Sequence, residues 1–162
     1  MHFTGLATAY ERPYDMWDFF GPYTEVMAAG AGAVSLAQAG LDVPLVLQHD
    51  PLRRIARTTN GSLILAETDE GLEVNAPNLD LEDRDVAYIV PKIRAGLIDE
   101  MSFAFRIVRG QWSPDYTEFR IEEYDIHRGD VAIVGYGANP YTLSDVRAAP
   151  ITLEETRLLP FV

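Results

Sequence analysis

Short apolar runs separated by turn-forming residues dominate this chain. In many of them apolar and polar positions alternate, which is the period of a half-buried β-strand. We predict seven or eight strands, at residues 3–10, 24–27, 43–48, 62–67, 72–76, 98–108, 118–124 and 130–136. Between the last two lies His127-Arg128-Gly129, which predicts a turn that ends one strand before the next begins.

One segment has a helical period instead. Apolar residues at 86, 89, 90 and 93 recur at the spacing of a buried helix face and predict a helix over residues 83–95. Acidic residues near its start and Gly96 after its end suit the two termini, while Pro91 inside it is a candidate kink. Residues 28–40 are rich in alanine but carry glycines, and they predict a short helix or turn.

The connections complete the prediction of the fold class. Asn60-Gly61 is a strong hairpin signal between residues 57–59 and 62–67, and the aromatic segment 14–23 predicts a packed loop. Many short strands with one clear helix indicate a mainly β protein, a barrel or sandwich with helical insertions.

Composition narrows the possible functions. A chain of 162 residues fits one domain with a sizeable core. Its net charge of −12 argues against a general nucleic-acid binder, because phosphate groups are met by clustered Lys and Arg. No apolar run approaches the roughly 18–20 residues that cross a bilayer, and the first residues do not resemble a signal peptide. Without cysteine there is neither a disulfide nor a thiolate site, so we expect an intracellular protein with no membrane partner.

The segment 100–106 carries the most informative candidate for chemistry. Strand alternation places Met101, Phe103 and Phe105 on one face and Ser102 on the other, with Ala104. The large side chains suit a core, and the serine hydroxyl then points to a face of small or polar groups. A serine needs an adjacent base to act as a nucleophile.

Histidine supplies that base in most serine enzymes, and a third group orients it. His49 follows an apolar run and is the first candidate, while Asp130, at the start of a late strand, is a candidate for the third member. His127 is the alternative third member. Each also has a structural interpretation: Ser102 as a hydrogen-bonded strand residue, His49 as a turn residue, and Asp130 as a strand-end carboxylate. There is no Gly-x-Ser-x-Gly elbow.

Metal and nucleotide chemistry find little support. The three histidines are scattered, and no glycine-rich phosphate loop is present. We therefore expect no metal and no cofactor.

Taken in order, several short motifs resemble those of the tailed-phage prohead (capsid maturation) protease family, serine peptidases related to the herpesvirus assemblin. The resemblance covers roughly residues 3–142, and its anchors are residues 5–7, 23–26, 30–31, 46–50, 62–65, 70–74, 96–105, 130–134 and 138–140. The chain departs from the common pattern at Ala132, where the family more often has serine, and at Gly137, where proline usually precedes the alanine.

The resemblance implies an assemblin-like closed β-barrel of about seven strands with peripheral helices. It implies a protease domain at residues 1–142 and a C-terminal tail at 143–162. His49 would be the general base, Ser102 the nucleophile and Asp130 the orienting acid, with Arg106 and Arg120 as candidate supports of an oxyanion site; surface salt bridges are the simpler interpretation of both arginines.

The implied activity is that of a serine endopeptidase that cleaves the scaffolding part of the major capsid protein, and itself, inside the prohead in the host cytoplasm. Expected partners are the major capsid protein or scaffold and a second copy of the chain, with no specific nucleic acid. Two alternatives remain open: a catalytically silent capsid-assembly module of the same fold, and a β-barrel that binds a small molecule.

Overall fold

The computed structural model describes residues 1–147. Ten strands, two α-helices and one 3₁₀ helix lie within them. The strands are β1 (His2–Ala9), β2 (Tyr14–Asp18), β3 (Gly21–Met27), β4 (Pro44–Leu47), β5 (Arg54–Arg57), β6 (Ile64–Glu67), β7 (Gly71–Ala76), β8 (Glu100–Trp112), β9 (Glu118–Val134) and β10 (Leu143–Arg147). The helices are α1 (Ala33–Leu36) and α2 (Arg84–Arg94), and the 3₁₀ helix spans Thr58–Asn60.

The strands form two sheets that share one apolar core. One sheet has four strands in the order β10-β1-β7-β6; the other has six, ordered β2-β3-β9-β4-β5 with β8 paired to β9. Phe3 and Leu72 of the first sheet and Leu45 and Ile121 of the second are all fully buried in the same cluster. The mainly β prediction is therefore confirmed.

The predicted closed barrel is wrong, because both sheets are open within residues 1–147. Closure requires continuous strand pairing around the ring. Here β5 and β6 follow each other in the chain but pair with β4 and β7, in different sheets. The predicted Asn60-Gly61 hairpin is wrong for the same reason: Asn60 ends the 3₁₀ helix, and Gly61 caps it with a φ of 78°.

Two further local predictions need correction. The aromatic segment 14–23 is not a loop, because β2 and β3 form an antiparallel hairpin from Tyr14↔Glu25 to Asp18↔Gly21. The predicted interruption between two strands at residues 127–129 is also wrong. β9 continues through it, and the pairing of β8 with β9 passes from Ala104↔Asp130 to Arg106↔Asp125. The extra residues form a bulge, and at its end a Cβ on Gly129 would lie 1.9 Å from the Ala104 carbonyl oxygen.

The helix prediction at 83–95 is confirmed by α2. The Asp83 carboxylate caps it, accepting hydrogen bonds from the N–H groups of Asp85 (2.8 Å) and Val86 (3.1 Å). The apolar face at positions 86, 89, 90 and 93 is buried. Pro91 lies inside the helix. None of the helices among residues 1–147 is long and apolar enough to cross a membrane.

The first residues of the predicted C-terminal tail belong to the sheet. β10 pairs with β1 over five positions, from His2↔Arg147 to Leu6↔Leu143. Residues 148–162, the rest of that tail, lie outside the described residues.

Candidate active site

Ser102 lies on β8, on the face that points away from the main core. Its neighbour Met101 is fully buried, and Phe103 and Phe105 pack against the same core with their rings stacked 4.1 Å apart. Ser102 is half-buried and pairs across the sheet with Ala132 of β9. The orientation inferred from strand alternation is thus the one that the structure shows.

A small apolar cluster supports the sheet on the Ser102 side. Ala132 of β9 pairs with Ser102 of β8 on one side and with Val46 of β4 on the other. Val46, Ala132 and Val134 are buried together, separately from the main core. Because paired residues on adjacent strands point to the same face, this row fixes the side on which Ser102 emerges.

His49 occupies a tight turn just after β4. The N–H of Asp50 donates to the carbonyl of Leu47 (2.9 Å), and both central residues have positive φ, 52° at Gln48 and 58° at His49. This is the pattern of a type I′ turn, which normally uses Asn and Gly. Non-glycine residues pay a conformational cost here, and such strained positions concentrate at functional sites.

The turn brings His49 to Asp130 of β9. The distance from Nδ1 to Asp130 Oδ1 is 2.8 Å, and the two side chains are 39% and 13% exposed. A carboxylate only accepts hydrogen bonds, so Nδ1 carries the proton and Nε2 is left as the acceptor. The hydrogen bond to Asp130 raises the pKa of His49, and partial burial opposes that shift.

Ser102 and this pair lie on the same face of adjacent strands. Asp130 is two positions from Ala132, so it is the diagonal neighbour of Ser102 at about 7–8 Å. Within residues 1–147 no hydrogen bond joins Ser102 Oγ to His49. Catalytic hydrogen bonds are often long in unliganded enzymes and shorten in the substrate complex.

His127 is placed elsewhere. It lies in the bulge of β9, where its Nδ1 accepts a hydrogen bond from the N–H of Asp42 (3.2 Å). Among the described residues it makes no hydrogen bond to His49, so the structure brings Asp130, and not His127, to the His49 imidazole.

Both arginines that were considered as oxyanion supports pair with carboxylates. Arg106 Nη2 lies 2.6 Å from Asp125, and Arg120 binds Glu11 through both terminal nitrogens. Arg120 is also remote, since it pairs with Gln111, nine positions along β8 from Ser102. The salt-bridge interpretation holds for both.

Two residues that the sequence analysis passed over hold the segment after β9 in place. Gln48 Oε1 accepts a hydrogen bond from the N–H of Gly135 (3.1 Å), and Glu100 Oε2 accepts one from Gly137 (2.6 Å). The first bond ties that segment to the His49 turn and the second ties it to the strand of Ser102. Their positions in the sequence could have indicated this role, since Gln48 directly precedes His49 and Glu100 stands two residues before Ser102.

No group of three or more His, Asp or Glu side chains within residues 1–147 is arranged to hold a metal ion. What the site presents is a serine hydroxyl, an imidazole and a carboxylate on one face, the groups of acyl-transfer chemistry.

Comparison with known proteins agrees with this chemistry. A search of the curated proteins found no match. Residues 2–156, nearly the whole chain, match the model of the family described as caudovirus prohead serine protease. The chain therefore belongs to the caudovirus prohead serine proteases.

Proposed function

We propose that Ser102 is the nucleophile of this serine protease, with His49 as its general base and Asp130 as the residue that orients the imidazole. The observation that supports this most directly is the 2.8 Å bond between His49 and Asp130 on the face from which Ser102 emerges. Family membership supplies the reaction class, and the three side chains supply its proton path.

In the first step, Ser102 Oγ attacks the scissile carbonyl carbon as its proton passes to His49 Nε2. The imidazolium formed keeps its Nδ1–H on the Asp130 carboxylate, which stabilises the charge. Nε2–H then protonates the leaving amine, and the peptide C–N bond breaks to give an acyl-enzyme. Water then resolves the acyl-enzyme: His49 takes a proton from it, and the water oxygen attacks the ester carbonyl carbon. The bond from that carbon to Ser102 Oγ breaks as Nε2–H returns the proton to Oγ, which releases the carboxylic acid product.

The raised pKa of His49 fits this role. Asp130 favours the protonated imidazole, the form that must exist at the tetrahedral stage. The imidazole is 39% exposed, and a bound peptide would cover it. Covering the site strengthens the His49–Asp130 attraction at the moment of proton transfer.

The proposed substrate is the scaffolding part of the major capsid protein, together with the protease itself, and the proposed place of action is inside the prohead. The family description supports the prohead, and the substrate follows from the resemblance described above. A homodimer is proposed on the same ground. Sedimentation equilibrium of the purified chain tests it, and a monomer at micromolar concentration contradicts it.

The decisive experiment compares Ser102→Ala with the wild-type chain, each co-expressed with the capsid precursor of the same phage. Proheads that contain the variant should assemble, but the capsid precursor should stay uncut. A fluorophosphonate, which reacts with activated serines, should label the wild-type chain and not the Ser102→Ala chain. Ser144→Ala is the matched control, since Ser144 is also a strand serine and its buried hydroxyl has no hydrogen-bond partner within residues 1–147.

Normal processing by Ser102→Ala would overturn the assignment of the nucleophile. A folded wild-type chain that neither cuts nor reacts, as monomer or dimer, would instead support a catalytically silent assembly module.

A further inference from the structure

A cavity of about 400 Å³ lies beside Ser102 and contains a carboxyl group. β1, β2, β3 and β8 line it, and β8 contributes Ser102 and Phe103. Within residues 1–147, β8 pairs only with β9, so its other edge has no strand partner. A peptide strand lying along such an edge inserts alternate side chains into the adjoining cavity.

The carboxyl group belongs to Glu25, a residue only 7% exposed. The Tyr14 hydroxyl donates to its Oε1 at 2.5 Å, while Oε2 makes no hydrogen bond within the described residues. No arginine or lysine among them pairs with it, and burial raises the pKa of Glu25 more than the tyrosine lowers it. A buried carboxylate without a cation is costly, so a cationic side chain that entered this cavity would stabilise the charged form of Glu25.

The remaining walls are suited to a long side chain. Met16, Phe103 and Phe105 supply apolar surface, and Tyr23 adds an aromatic ring on the strand of Glu25. Methylene stems of Lys and Arg pack on such surfaces, and their charged ends bind aromatic faces as well as carboxylates. The volume falls within the range of pockets that enclose small ligands.

We propose that Glu25 is a specificity-determining residue: this cavity binds a lysine or arginine side chain of the substrate, near the scissile bond, with its charge on the Glu25 carboxylate. The proposal deepens the proposed function and rests on Ser102 being the nucleophile.

The test is a cleavage profile. A peptide library made from a denatured proteome is digested with the wild-type chain, with Glu25→Gln and with Ser102→Ala, and the cut positions are read by mass spectrometry. Glutamine keeps the shape and the acceptor for Tyr14 but loses the charge. Asp15→Asn is the matched control, since Asp15 neighbours Tyr14 on β2 but is exposed.

We expect Lys and Arg to be enriched at one position near the cut for the wild type and for Asp15→Asn. With Glu25→Gln, kcat/KM for the best such peptide should fall about tenfold to a hundredfold, the range for one charge-assisted hydrogen bond. The same peptide with norleucine in place of the basic residue should be cut by Glu25→Gln at least as fast as by the wild type. That retained activity also shows that the variant is folded.

A second variant covers the case in which Glu25→Gln does not fold. Met16 is the diagonal neighbour of Glu25, within reach of a long side chain. In Met16→Lys a tethered ammonium should occupy the carboxylate and slow cleavage of the basic peptide selectively.

Two results overturn the inference: no basic preference in the wild type, or a preference that neither Glu25→Gln nor Met16→Lys changes. In both, cleavage that disappears in Ser102→Ala leaves the proposed nucleophile standing. Cleavage that persists in Ser102→Ala refutes the proposed function itself, so the two failures are distinguishable.

Discussion

Asp130→Asn tests the arrangement of the site most directly, because it removes one charge and almost no volume. The 2.8 Å bond to His49 Nδ1 is charge-assisted, and the Asp130 side chain is only 13% exposed, so water cannot readily replace it. A hydrogen bond to a charged group contributes about 1.5–3 kcal/mol, which corresponds to about a 10- to 150-fold change in rate. An asparagine that turns its NH₂ toward Nδ1 also fixes the wrong tautomer, which costs about 10⁴ in kcat in a Ser-His-Asp triad.

We therefore expect kcat to fall by a factor of about 10 to 10⁴ while KM changes little, because in the proposed mechanism Asp130 contacts the imidazole and not the substrate. The pH profile should change as well. In the proposed mechanism the neutral imidazole of His49 is the active form, and Asp130 raises the pKa of that imidazole. Losing that carboxylate lowers the pKa, so the acid limb of kcat/KM should move to lower pH even as the plateau drops.

The assay is the hydrolysis of one good peptide substrate from about pH 5 to 9, with the fold checked by circular dichroism. Asp145→Asn, which removes the same charge from an exposed position on β10, should leave rate and profile unchanged. A folded Asp130→Asn enzyme within about threefold of the wild type, or one whose acid limb stays in place or moves upward, refutes the role given to Asp130.

Two predictions concern stability. The folded pKa of His49 lies above its ordinary value of 6.5, so the pair with Asp130 stabilises the fold fully below pH 6.5 and less as the pH rises through the folded value. The difference in unfolding free energy between the wild type and His49→Gln, measured in urea, should therefore be larger at about pH 5.5 than at about pH 8.5. Equal differences at the two pH values contradict this prediction. Gly129→Ala places a Cβ 1.9 Å from the Ala104 carbonyl oxygen and should lower the unfolding free energy by about 2 kcal/mol or more; Gly135→Ala, where a Cβ meets nothing within 4 Å, is the control, and equal stability of the two variants argues against the close approach in the bulge.

The sequence determined the orientation of Ser102 because strand alternation is a local property. One apolar and one polar face follow directly from Met101, Ser102 and Phe103, whatever the strand pairs with. Helix α2 could be predicted for the same reason, since its apolar period and its Asp83 cap lie within about a dozen residues of sequence.

The His49–Asp130 contact could not be obtained in this way. The two residues are 81 positions apart, and their meeting depends on the parallel pairing of β4 with β9 and on a turn with two non-glycine residues at positive φ. Neither leaves a periodic signal. Asp130 and His127 were consequently both open as third members when the residues alone were considered.

The closed barrel failed at a similar point. A short segment of sequence is enough to predict that a strand exists, but the closure of a sheet depends on which strand edges pair. Here β5 and β6, on either side of the 3₁₀ helix, belong to different sheets. A glycine-containing turn signal was read as a hairpin although the same dipeptide equally suits a helix C-cap.

β9 links all three groups of the site: Asp130 is part of it, Ser102 stands on its antiparallel neighbour, and His49 follows its parallel neighbour. The spacing of the proposed catalytic groups is therefore set largely by strand registers within a sheet that also packs on the core. We expect Ser102 and Asp130 to keep their spacing for as long as the pairing of β8 with β9 lasts. Enzymatic activity and tertiary structure should disappear in a single cooperative transition in denaturant, so residual proteolysis measures the folded fraction of the chain.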